Sequence, residues 1–215
     1  MLIWEEHHIL ELIAEAFAAE CAALDLEQAV YGLDARDELA LHPLIAGGLG
    51  ARAAYRVHRE QRYPSDRHRK KRLSSGERCD IVLTPSDSDL AAPEAEQTLF
   101  EDPDACALSD AFWLEVKVAH QFQDGRPRRD YGSRLLQPAR KDVLKLAKEP
   151  GIASAGVLLV LFSADDATAT HDLDRVEQSL ADRALPLRSS VRAVLPMTER
   201  QGHGVCALRL LPVIA

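Results

Sequence analysis

The sequence predicts an α/β protein in which a central mixed β-sheet is flanked by helices. Segments 78–83 and 111–118 alternate polar and apolar residues as half-buried strands do. A helical pattern over 131–148 is followed by the continuous apolar run Val157–Phe162, which is typical of a strand covered on both faces. A helix between two strands favours a parallel connection.

The composition is that of an ordinary folded protein. The 215 residues are 47% hydrophobic and 28% charged, which suits a single domain over residues 1–215 with a sizeable core. The formal net charge of -8 excludes polyanion binding through bulk charge, so nucleic acid would have to contact local basic patches. Four cysteines without a Cys-X-X-Cys spacing argue against structural zinc and favour reduced thiols.

The first residues are acidic where a signal peptide would be basic and then apolar. No apolar run reaches the roughly 18 residues that a membrane-spanning helix needs. We therefore expect a cytoplasmic protein with no membrane partner.

Two helices are predicted before the first strand. Apolar residues recur at helical spacing over 5–24, an additional N-terminal helix, and again over 37–54. Pro43 fits the first turn of the second helix if that helix begins near His42. The glycines of segment 47–50 follow no strand, so close helix packing explains them better than a phosphate loop does.

The first strand is predicted over 55–63 and ends at Pro64. Glu60 shares a face of this strand with basic residues. It is either an auxiliary carboxylate of an active site or part of an ion-paired strand surface.

Three residues on the next two strands point to chemistry. Successive side chains of a strand face opposite ways, so Glu115 and Lys117 lie together on a face of their strand. Asp80 lies on the polar face of segment 78–83, and it comes beside Glu115 and Lys117 if both strands bury their apolar faces in one core. Hard cations take oxygen ligands, and a neighbouring lysine can orient water or stabilise developing charge. The pattern therefore indicates divalent-metal chemistry on a phosphate ester.

This arrangement resembles the PD-(D/E)XK nuclease superfamily, whose signature is an acidic residue on one strand and Glu-X-Lys on the next. Asp80 and Glu115-Val116-Lys117 occupy the matching positions, although Cys79 replaces the family's proline and the spacing is longer than usual. The resemblance covers roughly residues 37–163. It implies a restriction-endonuclease-like sandwich in which Asp80 and Glu115 hold Mg²⁺ or Mn²⁺ and Lys117 positions or activates the attacking water.

The family often adds an acidic ligand on the helix before the core strands, and Glu38 matches that role. A surface glutamate at a helix N-terminus is the alternative interpretation of Glu38. Asp142 and Lys145 belong to a segment that resembles the family's Asp-X-X-Lys-Leu helix. There Gln137, Asp142 or Lys145 would contact substrate or orient the site, unless they form an ordinary helix surface. Pro138 suggests that this helix proper begins near Ala139.

Two basic segments flank the proposed metal centre and are predicted to bind nucleic acid through phosphate contacts. They comprise Arg67, Arg69, Lys70, Lys71 and Arg72 before Asp80, and Arg126, Arg128 and Arg129 after Lys117. A solvated loop is the alternative for each.

An acidic insertion without lysine or arginine occupies about 84–110. It is either a solvated, partly flexible loop or a cover over the basic face.

A helix over 172–184 and strands over 190–195 and 205–213 complete the predicted elements, and the glycines between these strands predict a closing hairpin.

The whole pattern predicts a metal-dependent nuclease that hydrolyses phosphodiester bonds, with DNA favoured over RNA by the resemblance. A homodimer would let two sites cut both strands, and an unidentified protein partner is also open. The alternatives are a catalytically inactive protein with the same fold, which binds or regulates, and an accidental pattern in an unrelated domain.

Overall fold

The computed structural model describes residues 4–67, 77–91 and 104–214. The five helices and eight strands of these ranges are α1 (Glu6–Leu26), α2 (Glu38–Gly50), β1 (Tyr55–Arg62), α3 (Pro64–Arg67), β2 (Arg78–Pro85), β3 (Phe112–His120), β4 (Phe122–Gln123), β5 (Arg126–Pro127), α4 (Tyr131–Ala147), β6 (Ser154–Ser163), α5 (Asp166–Ala181), β7 (Val191–Pro196) and β8 (Val205–Val213). Short 3₁₀ turns occupy Leu33–Ala35 and Ala51–Ala53. No helix in the described ranges has the length and apolar character that crossing a bilayer requires.

Six strands form one mixed sheet in the order β1-β2-β3-β6-β8-β7. The β3 and β6 strands run parallel and are connected through α4, whereas the other neighbours in the sheet are antiparallel. The predicted α/β class, with a mixed sheet flanked by helices, is therefore confirmed. The additional N-terminal helix and the C-terminal hairpin of β7 and β8 are also present.

The sheet separates two apolar layers. Alternate residues of β3 and β6, such as Trp113 and Leu159, pack on the side that carries α4 and α5. Their neighbours, such as Leu114 and Leu158, pack on the side that carries α1 and α2. Because both faces of β6 are covered, its sequence is apolar without alternation.

Two prolines do not mark helix starts as their positions suggested. The α2 helix begins at Glu38, where the side chain of Asp37 accepts the Ala40 N–H, and Pro43 lies inside it. Pro138 likewise lies inside α4, which begins at Tyr131 and not near Ala139. Buried apolar residues precede and follow each proline on the same helix face, so tertiary packing outweighs the one backbone hydrogen bond that each proline removes.

The acidic insertion is anchored at both of its ends. Residues 92–103 lie outside the described part, but Leu90 forms a bridge with Cys106. The Ala91 N–H donates to the Cys106 carbonyl at 2.9 Å, and the Cys106 N–H donates to Asp89 at 2.7 Å. The described ends of this segment, which connects β2 to β3, are thus hydrogen-bonded to each other.

Candidate metal centre

The site begins where the pairing of β2 and β3 stops. Their ladder joins Ile81–Leu83 to Phe112–Leu114 and ends there. One residue beyond it, Asp80 Oδ2 accepts the backbone N–H of Val116 at 2.8 Å. The side chain of Asp80 thus replaces a strand-to-strand hydrogen bond, which holds its carboxylate in the gap between the two strands.

Lys117 lies at the centre of four carboxylates, which we call the acidic cluster. Its Nζ is 3.1 Å from Glu38 Oε1, 3.3 Å from Asp142 Oδ2, 3.8 Å from Asp80 Oδ2 and 3.9 Å from Glu115 Oε2. These residues come from α2, β2, β3 and α4, so the fold assembles the cluster from four separate elements. Lys117 Nζ also donates to its neighbour's carbonyl, that of Val116, at 2.6 Å.

A second ammonium group holds the buried end of the cluster. Lys145 Nζ is 2.6 Å from Glu115 Oε1 and 3.6 Å from Asp142 Oδ1, and it lies 4.8 Å from the centre of the Tyr63 ring. The Tyr63 hydroxyl also donates to Glu115 Oε1. One oxygen of Glu115 is therefore held by two donors, while the other is directed toward Lys117.

Glu38, His42 and Asp80 form a group that could hold a cation, because their ligand atoms all lie within 4.8 Å of one another. His42 is 1% exposed, and among residues 4–67, 77–91 and 104–214 neither of its ring nitrogens has a hydrogen-bond partner. Its Nε2 is 4.0 Å from Asp80 Oδ2, and its Nδ1 is 3.9 Å from Glu60 Oε1. Buried polar groups are normally satisfied, so the unpartnered imidazole fits a donor set that is completed by a metal ion.

The electrostatics of the acidic cluster show an excess of negative charge. Four carboxylates face two ammonium groups, which leaves a surplus equal to the charge of one divalent cation. Burial, and then the charge of Asp80, raises the pKa of Glu115. Burial and then Glu115 raise the pKa of Asp142. Burial by itself would lower the pKa of Lys117, but the surrounding carboxylates, led by Asp142, raise it above its ordinary value.

The predicted basic residues after β3 lie around a small hairpin of β4 and β5. Arg126 and Arg129 are exposed, and Arg128 Nε is 3.3 Å from Asp130 Oδ1. All three line a cleft of about 480 Å³. A neighbouring cleft of about 750 Å³ shares Arg128 and reaches Glu38. Its lining includes three arginines and four carboxylates, so the cleft joins the hairpin to the acidic cluster through a surface of mixed charge.

The predicted basic residues before β2 cannot be placed in the same way. Arg69, Lys70, Lys71 and Arg72 lie outside the described residues, and α3 ends at Arg67.

Two other predicted residues, Gln137 and Glu60, lie at the margin of the site or outside it. Gln137 is exposed on α4. Glu60 is about half exposed, and its Oε1 lies 3.9 Å from His42 Nδ1 at the edge of the site.

Sequence reasoning missed His42 and Tyr63 in the site. His42 follows Glu38 by four residues on α2, and that spacing places two side chains on one helix face. This signal could have identified the histidine once Glu38 was a candidate ligand. Tyr63 gave no comparable signal, because its contact with Glu115 depends on how the chain turns after β1.

Comparisons with protein-family models, with curated proteins and with solved structures found no match for this chain.

Proposed function

We propose that the protein is a metal-dependent nuclease that hydrolyses phosphodiester bonds, with DNA as the favoured substrate. The observation that carries the proposal is the convergence of Asp80, Glu115 and Lys117 with Glu38, since both strand carboxylates lie within 4 Å of one ammonium nitrogen. The surplus negative charge around Lys117 supports binding of a divalent cation.

The order of elements supports a restriction-endonuclease-like sandwich. Between residues 37 and 163 the chain forms α2, the three antiparallel strands β1 to β3, then α4, and then β6 parallel to β3. This is the helix, three strands, helix and strand order that the resemblance implies for the core. In this proposal α1, α5 and the hairpin of β7 and β8 are additions to that core.

Asp80 and Glu115 would hold Mg²⁺ or Mn²⁺, with Glu38 as a third ligand. A cation bound there would polarise a phosphoryl oxygen and make a bound water more acidic. Lys145 and Tyr63 hold one oxygen of Glu115 and so orient the other toward the cation. Lys117 would position the attacking water or stabilise the charge that develops on the phosphate.

Substrate would reach the cation through these two clefts and would contact the arginines in their mixed basic and acidic lining. The larger cleft extends from Glu38 past Arg36 to Arg128 and Arg134. Arginine suits this role because its planar guanidinium group forms paired hydrogen bonds with phosphate oxygens. The interpretation of Arg126, Arg128 and Arg129 as nucleic-acid contacts is supported by their position on these two clefts, and that of Arg67 and the residues through Arg72 stays a prediction from the sequence.

A non-catalytic protein that uses the same surface for binding is the second candidate. One observation favours it: Lys117 already bonds Glu38 at 3.1 Å, so an internal cation partly neutralises the proposed ligands. A protein of this kind would bind nucleic acid or a protein partner without cutting.

The test is cleavage of supercoiled plasmid, linear duplex DNA, single-stranded DNA and RNA with Mg²⁺, Mn²⁺ or EDTA. Glu115→Ala and Lys117→Ala should each lower metal-dependent cleavage at least about 100-fold, the scale expected when one preorganised electrostatic group is lost. Glu15→Ala and Lys148→Ala, at exposed positions on α1 and after α4, should cut like the parent protein. Parental cleavage by Glu115→Ala would refute the mechanism, and binding without cutting would favour the second candidate.

A further inference from the structure

The imidazole of His42 is buried in the site, but no described neighbour forms a hydrogen bond with it. It is 1% exposed on α2, and within the described part of the chain both of its nitrogens lack a hydrogen-bond partner. A buried ring that satisfies neither nitrogen forfeits the free energy of its hydration. Such a cost is expected where the group has a ligand to bind.

The distance between His42 and Asp80 fits a bridging cation better than a direct bond. The separation of 4.0 Å between Nε2 and Oδ2 is too long for a hydrogen bond. It is close to the span of two metal–ligand bonds of about 2.1 Å each that meet at a wide angle. Glu38 supplies a third ligand atom from the same helix, one turn before His42.

We propose that His42 is a further ligand of this same divalent ion, beside Glu38 and Asp80, and that the imidazole nitrogen makes the site prefer Mn²⁺ over Mg²⁺. Mg²⁺ takes oxygen ligands and gives up its hydration water reluctantly. Mn²⁺ also suits carboxylate ligands, but it belongs to the first-row series that binds mixed nitrogen and oxygen sites, although at the weakest end of that series. Replacing one oxygen ligand by nitrogen therefore costs Mg²⁺ more affinity than it costs Mn²⁺. The inference deepens the proposed nuclease function. It depends on that function only for the reaction that the ion would serve.

Lys117 acts as the internal competitor of this ion. Its ammonium group is 3.1 Å from Glu38 and 3.8 Å from Asp80, the two carboxylate ligands of the proposed site. Binding of Mn²⁺ must therefore weaken these two ion pairs. Removing the ammonium should leave both carboxylates free to bind the metal, and so should raise the affinity for Mn²⁺.

The first measurement is titration calorimetry of the full chain with MnCl₂ and, separately, with MgCl₂. The parent protein should bind Mn²⁺ at least about tenfold more tightly than Mg²⁺. His42→Asn should weaken Mn²⁺ binding about 10- to 100-fold, a scale that even the loss of an outer-shell partner reaches. His42→Asp makes the ligands all oxygen and should shrink the preference for Mn²⁺, and Lys117→Met should strengthen Mn²⁺ binding.

The matched control is His58→Asn on β1, because the His58 Nε2 already has a partner in the Thr84 hydroxyl, 3.1 Å away. Its Mn²⁺ affinity should equal that of the parent. Equal Mn²⁺ affinity in His42→Asn and the parent would overturn the inference, as would equal affinity of the parent for Mn²⁺ and Mg²⁺.

Pulsed electron paramagnetic resonance of the parent protein with bound Mn²⁺ gives an answer even if a His42 variant fails to fold. Coupling of the ion to a ¹⁴N nucleus is expected from a coordinated imidazole, and its absence would overturn the inference. The outcomes also separate the two proposals. Nitrogen-coordinated Mn²⁺ without cleavage of any substrate would reject the nuclease alone, while Mg²⁺-supported cleavage without nitrogen coordination would reject the role of His42 alone.

Discussion

The contact between α1 and α2 seats the helix that carries Glu38 and His42, and it depends on one glycine. A Cβ atom added to Gly48 would lie 2.7 Å from Ala16 Cβ and 2.8 Å from the carbonyl oxygen of Leu12. Neither atom belongs to the end of a flexible side chain, so the two helices would have to move apart. Gly47, the preceding residue of α2, has open space at the same position, which provides a matched control.

The two substitutions to alanine should therefore change stability in opposite directions. Replacing a glycine inside a helix by alanine stabilises it by about 1 kcal/mol, which is the full effect expected for Gly47→Ala. Overpacking costs about 1–3 kcal/mol, and a clash with backbone belongs at the upper end. Gly48→Ala should thus destabilise the protein by about 2 kcal/mol, which places the two variants about 3 kcal/mol apart.

Equilibrium urea unfolding, followed by the fluorescence of Trp4 and Trp113, would measure this difference. An unchanged slope against urea would show that the substitutions altered stability and not the extent of unfolding. If Gly48→Ala were as stable as Gly47→Ala, the close approach of α1 and α2 at this residue would be refuted.

Two further predictions concern His120 and Arg128. Burial, and next the neighbouring His203, lowers the pKa of His120 to about 4, so the unfolded chain takes up this proton near pH 6.5 while the folded chain does not. Folding stability should fall by about 3 kcal/mol between about pH 6.5 and 4 on this account; urea unfolding of His120→Gln should show a correspondingly smaller loss, with His7→Gln at an exposed position behaving like the parent. Arg128→Ala should weaken binding to duplex DNA of any sequence and reduce the slope of log affinity against log salt by about one. Fluorescence anisotropy at several NaCl concentrations would measure both effects, and the same loss in the exposed control Arg183→Ala would contradict a specific role for the hairpin.

The sheet could be predicted because each strand carries its own signal. The unbroken apolar run of β6 reports directly that both of its faces are covered, whereas the alternation in β3 predicted one solvated face and the structure buries both, Glu115 included. The helix boundaries were less predictable at Pro43 and Pro138. A proline weakens its own turn locally, but whether the helix continues through it is decided by the apolar residues that pack on the sheet.

The residues of the candidate site also divide into those that local rules predict and those that only the tertiary structure brings together. Strand alternation puts Glu115 and Lys117 on one face, and antiparallel pairing brings Asp80 beside them, so these positions follow from local rules. Asp142 and Lys145 reach the same point only because α4 crosses over β3 on the way to β6. Their sequence spacing from Glu115 does not predict that crossing, and an ordinary helix surface pair is the default interpretation of these two residues.

The charge of the completed site connects its stability to its chemistry. Without a cation, Glu115 and Asp142 are held in a buried, negatively charged environment that raises the pKa of each. Ionised carboxylates with raised pKa values cost folding stability above their unfolded pKa, whereas the raised pKa of Lys117 stabilises the folded chain below the unfolded pKa of lysine. The divalent cation that we propose would neutralise this surplus charge, and because it would bind only the folded chain it would stabilise the fold by mass action. Buried ion pairs seldom stabilise more than the apolar residues that could replace them, so the metal ion that we propose accounts better than folding stability does for an acidic cluster that two lysines only partly neutralise.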